Sequence, residues 1–320
     1  MKAVIAQDGQ PVIVEIPSPE PKADEVLVQV KATALNRADL LQAQGNYPPP
    51  PGWPDALGLE FSGEILQIGS AVEGYSPGQR VMALVGGGGY AEQAVAPAAH
   101  IMPIPRHLSF EEAAGIPEVF LTAYSNMVEL AGLSAGETVL IHAGASGVGL
   151  AAIQIARTIG ATVIVTASQP KHAICQQYGA ELVIDYQSHN FADEILKRFE
   201  GVDVVVDMVG APYWDDNMRV LNKWGRLVFI GLMGGSKHTI DFRTIMQKRL
   251  SIMGSTLRNR TYERKARLIG NFWRWAEMHF EAGDLEPVIW RVLPLADVAQ
   301  AHELMRNNQN AGKIVLSVKS

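Results

Sequence analysis

The stretch from Thr138 to Arg157 constrains this chain more than any other. The apolar run Thr138-Val139-Leu140-Ile141 enters His142-Ala143-Gly144-Ala145-Ser146-Gly147-Val148-Gly149, and an amphipathic segment from Leu150 to Arg157 follows. A strand, a glycine-rich turn and a helix in that order let backbone N–H groups close on a pyrophosphate, whose charge the helix N-terminus favours. The spacing predicts a nicotinamide-dinucleotide site, with Gly144, Ser146, Gly147, Val148 and Gly149 at the phosphates.

The rhythm around this motif gives the fold class. Apolar strands are expected at Thr138–His142, Thr162–Thr166, Leu182–Asp185, Val202–Val209, Arg226–Ile230 and Leu250–Gly254. Helical stretches separate most of them, at Val148–Thr158, Lys171–Tyr178, Phe191–Phe199 and Pro212–Leu221. Continuous apolar strands alternating with helices indicate an α/β, doubly wound parallel sheet, and six strands make two mononucleotide-binding halves. The first hundred residues differ. Short strand-like runs at Val12–Glu15, Glu25–Ala32, Gly58–Ile68, Arg80–Leu84 and Tyr90–Ala96 alternate with proline and glycine clusters, which suggests an antiparallel, barrel-like unit. The Gly86–Gly89 run reads there as a hairpin turn. The tail is expected as a helix (262–282), a strand (288–292), a helix (295–306) and a strand (313–318) that return to complete the first unit.

Bulk properties narrow the function classes. A chain of 320 residues forms about two domains. Net charge is −6 and no dense basic run is present, so a nucleic-acid partner is not expected. Cys175 is the only cysteine, which excludes disulfide scaffolds and cysteine-ligated zinc lobes. No run reaches the roughly 18 apolar residues of a membrane helix, and the N-terminus lacks a leader's apolar core. The expectation is a cytoplasmic protein with no membrane partner.

In such sheets a carboxylate at the end of the second strand takes the adenosine ribose, whereas a neutral or basic end admits a 2′-phosphate. Here that end reads Ala167-Ser168-Gln169-Pro170-Lys171. Ser168 can donate to phosphate and Lys171 can supply charge, which favours NADPH. Tyr186, after the third strand, adds a phenolic donor or is an ordinary surface tyrosine. Val209 beyond the fourth strand, and Gly231, Met233 and Gly234 beyond the fifth, would lie beside the nicotinamide half.

Several motifs carry a family likeness. Ala34-Leu35-Asn36-Arg37-Ala38-Asp39-Leu40, Gly45-Asn46-Tyr47-Pro48, Gly58-Leu59-Glu60-Phe61-Ser62-Gly63, Pro117-Glu118 with Leu121-Thr122-Ala123, and Gly312-Lys313-Ile314-Val315-Leu316 resemble the quinone oxidoreductase branch of the medium-chain dehydrogenase/reductase superfamily. The segments 229–235 and 255–260 are similar to its stress-inducible animal quinone reductase subgroup. The resemblance spans essentially the whole chain. It implies a GroES-like β-barrel catalytic domain (1–118 and 258–320) and a six-stranded Rossmann domain (119–257). It also implies nucleotide contacts from Thr122 and Lys313, and a homodimer formed through the edge of the Rossmann sheet. Asn36 stands where zinc-dependent members have a cysteine ligand, and Leu59 where they have a histidine. That points to a zinc-free reductase.

Without a Lewis acid, hydride transfer suits an acceptor that is already electron-poor. The resemblance thus implies NADPH-dependent reduction of a quinone or enone, by hydride or by one-electron steps. Asn36, Asp39 and Tyr47 are the candidate side chains at the acceptor. Asp39 also reads as a partner of local N–H groups at a helix start, and Tyr47 as either a donor or a pocket wall. Two alternatives stay open: an alkenal or enoyl double-bond reductase, and a non-catalytic NADPH-binding stress protein.

Overall fold

The computed structural model describes residues 1–318. The chain divides into two compact units, Met1–Leu121 with the residues from Leu257 on, and Thr122–Thr256. None of the described helices is long and apolar enough to cross a membrane.

The first unit opens with β1 (Lys2–Gln7) and β2 (Gln10–Glu15), an antiparallel hairpin. Its two-residue turn, Asp8-Gly9, has φ of 50° and 78°, the left-handed pair that a tight hairpin requires. β3 (Glu25–Ala34) follows, then α1 (Arg37–Ala43), β4 (Glu60–Ile68), β5 (Arg80–Leu84), β6 (Gln93–Pro97), β7 (Ile101–Pro103), α2 (Phe110–Ala114) and α3 (Pro117–Tyr124). Val26, Val28 and Val30 alternate along β3 and pack with Phe61, Ile65, Val81 and Tyr90 in one core.

The Gly86–Gly89 run is not the expected hairpin turn. β5 pairs with β4 and β7, while β6 pairs with β3, so the glycines carry the chain between non-adjacent strands. They are needed for close packing instead. A Cβ at Gly86 would fall 2.5 Å from the Trp53 ring, and one at Gly89 would fall 2.8 Å from the Glu60 carbonyl.

The second unit contains β8 (Thr138–Ile141), α4 (Gly147–Ile159), β9 (Thr162–Thr166), α5 (His172–Tyr178), β10 (Leu182–Ile184), α6 (Phe191–Leu196), β11 (Val202–Asp207), α7 (Trp214–Val220), β12 (Leu221–Phe229), α8 (Phe242–Lys248) and β13 (Ser251–Gly254). The sheet is parallel throughout, in the order β10-β9-β8-β11-β12-β13. Numbered within the unit this is 3-2-1-4-5-6, the doubly wound order whose reversal lies beside the first strand. α8 and a π-helical turn at Ser125–Leu130 are additions to the elements expected from the sequence.

α9 (Tyr262–Ala282), β14 (Ile289–Pro294), α10 (Val298–Arg306) and β15 (Lys313–Ser317) then rejoin the first unit. β15 pairs antiparallel with β3, closing the sheet order β14-β15-β3-β4-β5-β7. This pairing delivers Lys313, at the start of β15, to the end of β3.

Candidate active site

A buried polar cluster forms where three chain segments of the first unit converge. Asn36 precedes α1, Glu60 begins β4 and Lys313 begins β15. Glu60 is fully buried, and its Oε1 accepts from Asn36 Nδ2 at 2.8 Å and from Lys313 Nζ at 2.7 Å. Glu60 Oε2 accepts from the Glu118 backbone N–H at 2.7 Å. Lys313 Nζ also donates to the Leu35 carbonyl at 2.6 Å and to Asn36 Oδ1 at 2.7 Å. All three ammonium hydrogens thus have acceptors inside this unit, as a buried charge requires. The Asn36 amide is held at both ends, its Nδ2 reaching the Ala34 carbonyl as well.

Asp39 sits one turn into α1 and is fully buried. Its Oδ2 accepts from the Asn36 N–H at 2.7 Å, the local helix-start bond read from the sequence, and from the Tyr90 hydroxyl at 2.9 Å. Oδ1 has no partner. Burial raises this carboxyl to about 6 against the pull of those two donors. Glu118 is raised further, to about 8, by burial and then by the neighbouring Glu60 charge. A carboxyl at that value carries a proton at neutral pH.

Tyr47 is fixed through Arg258. The guanidinium donates to the Tyr47 carbonyl at 2.9 Å and lies 5.1 Å from the centre of its ring. It also donates to the Gly86 carbonyl at 2.7 and 2.9 Å and to Gln42 Oε1 at 2.6 Å. Burial and the Glu118 charge hold the Tyr47 phenol above its ordinary pKa.

In the second unit the glycine-rich turn follows β8. Ala143 adopts φ of 51°, and the Gly144 N–H donates to the Thr166 carbonyl at 2.9 Å. A Cβ at Gly144 would lie 2.6 Å from Val165 Cβ, and one at Gly149 would lie 2.4 Å from the Gly144 carbonyl. Ser146 caps α4 by accepting from the Gly149 N–H at 3.0 Å. Ser146, Gly147 and Val148 stay partly exposed at that helix start.

His142, Asn217 and Asp207 brace these turns from beneath. Asn217 Nδ2 donates to Asp207 Oδ2 at 2.9 Å, which leaves Asn217 Oδ1, 2.8 Å from His142 Nε2, as the acceptor. His142 Nδ1 then accepts from the Thr166 hydroxyl at 3.1 Å, and that oxygen receives the Ala143 N–H at 3.3 Å. Asp207 Oδ1 accepts from the Val209 and Gly210 N–H groups at 2.6 and 3.0 Å. The turn beyond β12 joins in, because the Met233 and Gly234 N–H groups donate to the Met208 and Val209 carbonyls. Val209, Met233 and Gly234 are therefore neighbours, with Gly231 against Met208.

Ser168, two residues beyond β9, is half-exposed, and its carbonyl accepts from the Lys171 N–H at 2.9 Å. Tyr186 is exposed beyond β10. The Thr122 carbonyl is engaged by Ser125 and Asn126 at the start of the π-helical turn. Glu60, Tyr90, Glu118 and Arg258 had not been read as site residues. Their signal was proximity to Asn36 and Tyr47 in space, which the sequence does not display.

Two family models match the chain: "Alcohol dehydrogenase GroES-like domain" over residues 22–106 and "Zinc-binding dehydrogenase" over residues 147–271. A zinc site does not fit the donors present. Glu60 already shares its oxygens with an ammonium, an amide and a backbone N–H, and Lys313 at 2.7 Å would repel a dication. Among the described residues no group of three or more His, Cys, Asp or Glu side chains could hold a metal ion.

A quinone oxidoreductase of Lama guanicoe is 33% identical, covering 100% of this chain and 98% of the relative. A solved NAD-dependent alcohol dehydrogenase superposes with a TM-score of 0.87 at 33% identity, covering all of both chains. The CurK enoyl reductase superposes with a TM-score of 0.87 at 28% identity, covering 99% of each chain. The doubly wound nucleotide-binding sheet, the antiparallel unit completed by the chain's own tail and these likenesses converge on one assignment. The chain belongs to the medium-chain dehydrogenase/reductase superfamily and is an oxidoreductase of the kind that uses a nicotinamide cofactor.

Proposed function

We propose that this oxidoreductase reduces quinones with NADPH and without zinc. The observation that carries the reading is the Asn36–Glu60–Lys313 cluster, in which an internal ion pair fills the region where a metal cage would need free donors. Likeness to quinone oxidoreductases supports the acceptor class. The carboxylate-free end of β9 supports the phosphorylated dinucleotide.

When bound, NADPH supplies the reducing equivalents. Ser146 to Gly149 would hold its pyrophosphate at the α4 N-terminus, and Ser168, Lys171 and Tyr186 its 2′-phosphate. Thr122, Val209, Gly231, Met233 and Gly234 would serve the nicotinamide half, whereas Lys313, whose three ammonium hydrogens go to Leu35, Asn36 and Glu60, is taken as holding the buried cluster instead of the nucleotide. Asn36 and Asp39 act as positioning residues, because their polar atoms face inward to Glu60, Lys313 and Tyr90. Tyr47 walls the acceptor and presents its hydroxyl. Glu118, protonated at neutral pH, is the group able to hand a proton to the reduced oxygen. The same reading takes residues 1–118 and 258–320 as the catalytic domain and 119–257 as the nucleotide domain. It also takes the protein as a cytoplasmic homodimer paired through the β13 edge.

The second reading, reduction of an alkenal or enoyl double bond, is favoured by the likeness to an enoyl reductase. The two separate in parallel assays of the purified chain, with NADPH and NADH against a simple benzoquinone and a medium-chain alkenal, before and after dialysis against a chelator. Quinone turnover that prefers NADPH and survives chelation is expected. Turnover of the alkenal alone, preference for NADH or a zinc requirement would each overturn the proposal. NADPH binding without acceptor-dependent oxidation would mark a non-catalytic binding protein.

A further inference from the structure

A second cleft of about 400 Å³ lies entirely within the first unit, at the start of α9. Pro50, Pro51 and Trp53 give it an apolar wall, and His100, Tyr262 and Lys265 line the rest. Lys265 is 2% exposed, and its ammonium lies 5.3 Å from the centre of the Trp53 ring. Among the described residues no oxygen accepts a hydrogen bond from it. The ammonium is therefore left to whatever fills the cleft that Lys265 lines.

His100 is the second anomaly. It is 1% exposed, and its ring lies 5.0 Å from that of Tyr262. Nε2 is 3.2 Å from the Tyr262 carbonyl, which can only accept, so this nitrogen carries the proton. Nδ1 is left as a buried lone pair with no partner. Burial and the Lys265 charge hold the imidazole below its ordinary pKa, which keeps that lone pair available at neutral pH. Lys22 and Arg260 add positive charge among the lining residues, and Glu25 is paired with Lys22 at 3.2 Å.

The cleft therefore offers an ammonium that no oxygen of the described residues accepts from, a buried acceptor without a donor, and a flat aromatic and proline wall. We propose that it binds a small aromatic hydroxy acid of the hydroxybenzoate class. The ligand's carboxylate meets the Lys265 ammonium, its hydroxyl donates to His100 Nδ1, and its ring lies against Trp53 and the prolines. The proposal rests on these residues alone and stands whether or not quinones prove to be the acceptors.

The test is calorimetric titration of the full chain with 3- and 4-hydroxybenzoate, benzoate and phenol, with tryptophan fluorescence as a second readout. One hydroxybenzoate should bind saturably and at least about tenfold more tightly than benzoate or phenol, a difference of about 1.4 kcal/mol. Lys265→Met and His100→Phe should each weaken it by a similar factor, while Lys265→Arg retains part of the affinity. Should Lys265→Met fail to fold, contact between ligand ring protons and the Trp53 indole in wild-type protein, measured by NMR, decides the matter. Absence of saturable binding, equal affinity for benzoate, unaltered affinity in a folded Lys265→Met variant, or no Trp53 contact would overturn the proposal.

Discussion

Lys313 Nζ stands 2.7 Å from Glu60 Oε1, with the two side chains 4% and 0% exposed. The pair joins the start of β15 to the start of β4, and so ties the returning tail to the unit it completes. Removing one partner leaves the other charge buried without compensation, which costs far more than the pair itself contributes. Lys313→Met should lower stability by about 3–5 kcal/mol in denaturant unfolding. Adding Glu60→Gln should recover part of that loss, so the double variant should be less destabilised than the sum of the singles.

Glu118 should give stability a pH dependence of defined sign. Its folded pKa of about 8 exceeds the ordinary value of 4.5, so the native state holds its proton where the unfolded chain has released it. Stability then falls as pH rises between those two values. Glu118→Gln, which cannot ionise, should melt progressively higher relative to wild type as pH is raised from 5 to 8. A constant difference across that range would contradict the burial argument. If Glu118 also donates the proton, the variant should lose turnover by about 10²-fold or more at neutral pH while NADPH affinity stays unchanged.

Cofactor choice should turn on the end of β9. Ser168→Asp places a carboxylate beside the 2′-position, repelling a phosphate and favouring a free ribose. The ratio of kcat/KM for NADPH over NADH should fall at least about tenfold, an effect of about 1.4 kcal/mol. Lys171→Ala should shift the ratio in the same direction.

The glycine-rich turn after β8 has no room for a side chain at Gly144 or Gly149. Gly149→Ala would set a Cβ 2.4 Å from the Gly144 carbonyl, and Gly144→Ala would set one 2.6 Å from Val165 Cβ. Both should weaken NADPH binding by fluorescence titration by about tenfold or more, with unchanged affinity for hydroxybenzoate in the other unit.

His302 is fully buried, its ring 6.1 Å from that of Tyr90 in an edge arrangement, and neither ring nitrogen has a partner. Burial and Arg306 hold it down to about 4. A histidine with a lowered folded pKa destabilises the fold as pH drops from 6.5 towards 4, because the unfolded chain takes up the proton first. His302→Leu removes both orphaned atoms and should raise stability by about 1–2 kcal/mol at neutral pH. The gain should grow in acid.

Much of the nucleotide unit was legible because its signals are local. The strand before Gly144, the Ser146 cap and the six apolar strands lie in contiguous windows, where hydrophobic period and glycine placement act over a few residues. The tail's helices and strands were legible for the same reason. The Gly86–Gly89 run misled because glycine serves both turns and close backbone approach, and only the position of Trp53 distinguishes them. Asn36 and Asp39 stood out within one motif, whereas Glu118 and Arg258 became site residues only through what folds against them.

The sequence by itself determined two architectures, a parallel sheet with a glycine-rich turn after its first strand and a strand-rich unit closed by the C-terminal segment. Those follow from backbone preferences and from the spacing of apolar residues, which are properties of neighbours along the chain. Tertiary structure alone decided that Glu60, Lys313 and Asn36 engage one another, that burial raises the Glu118 carboxyl, and that His100 Nδ1 is buried without a partner. Charge state and hydrogen-bond satisfaction depend on burial and on atoms tens to hundreds of residues away, and no local pattern encodes them.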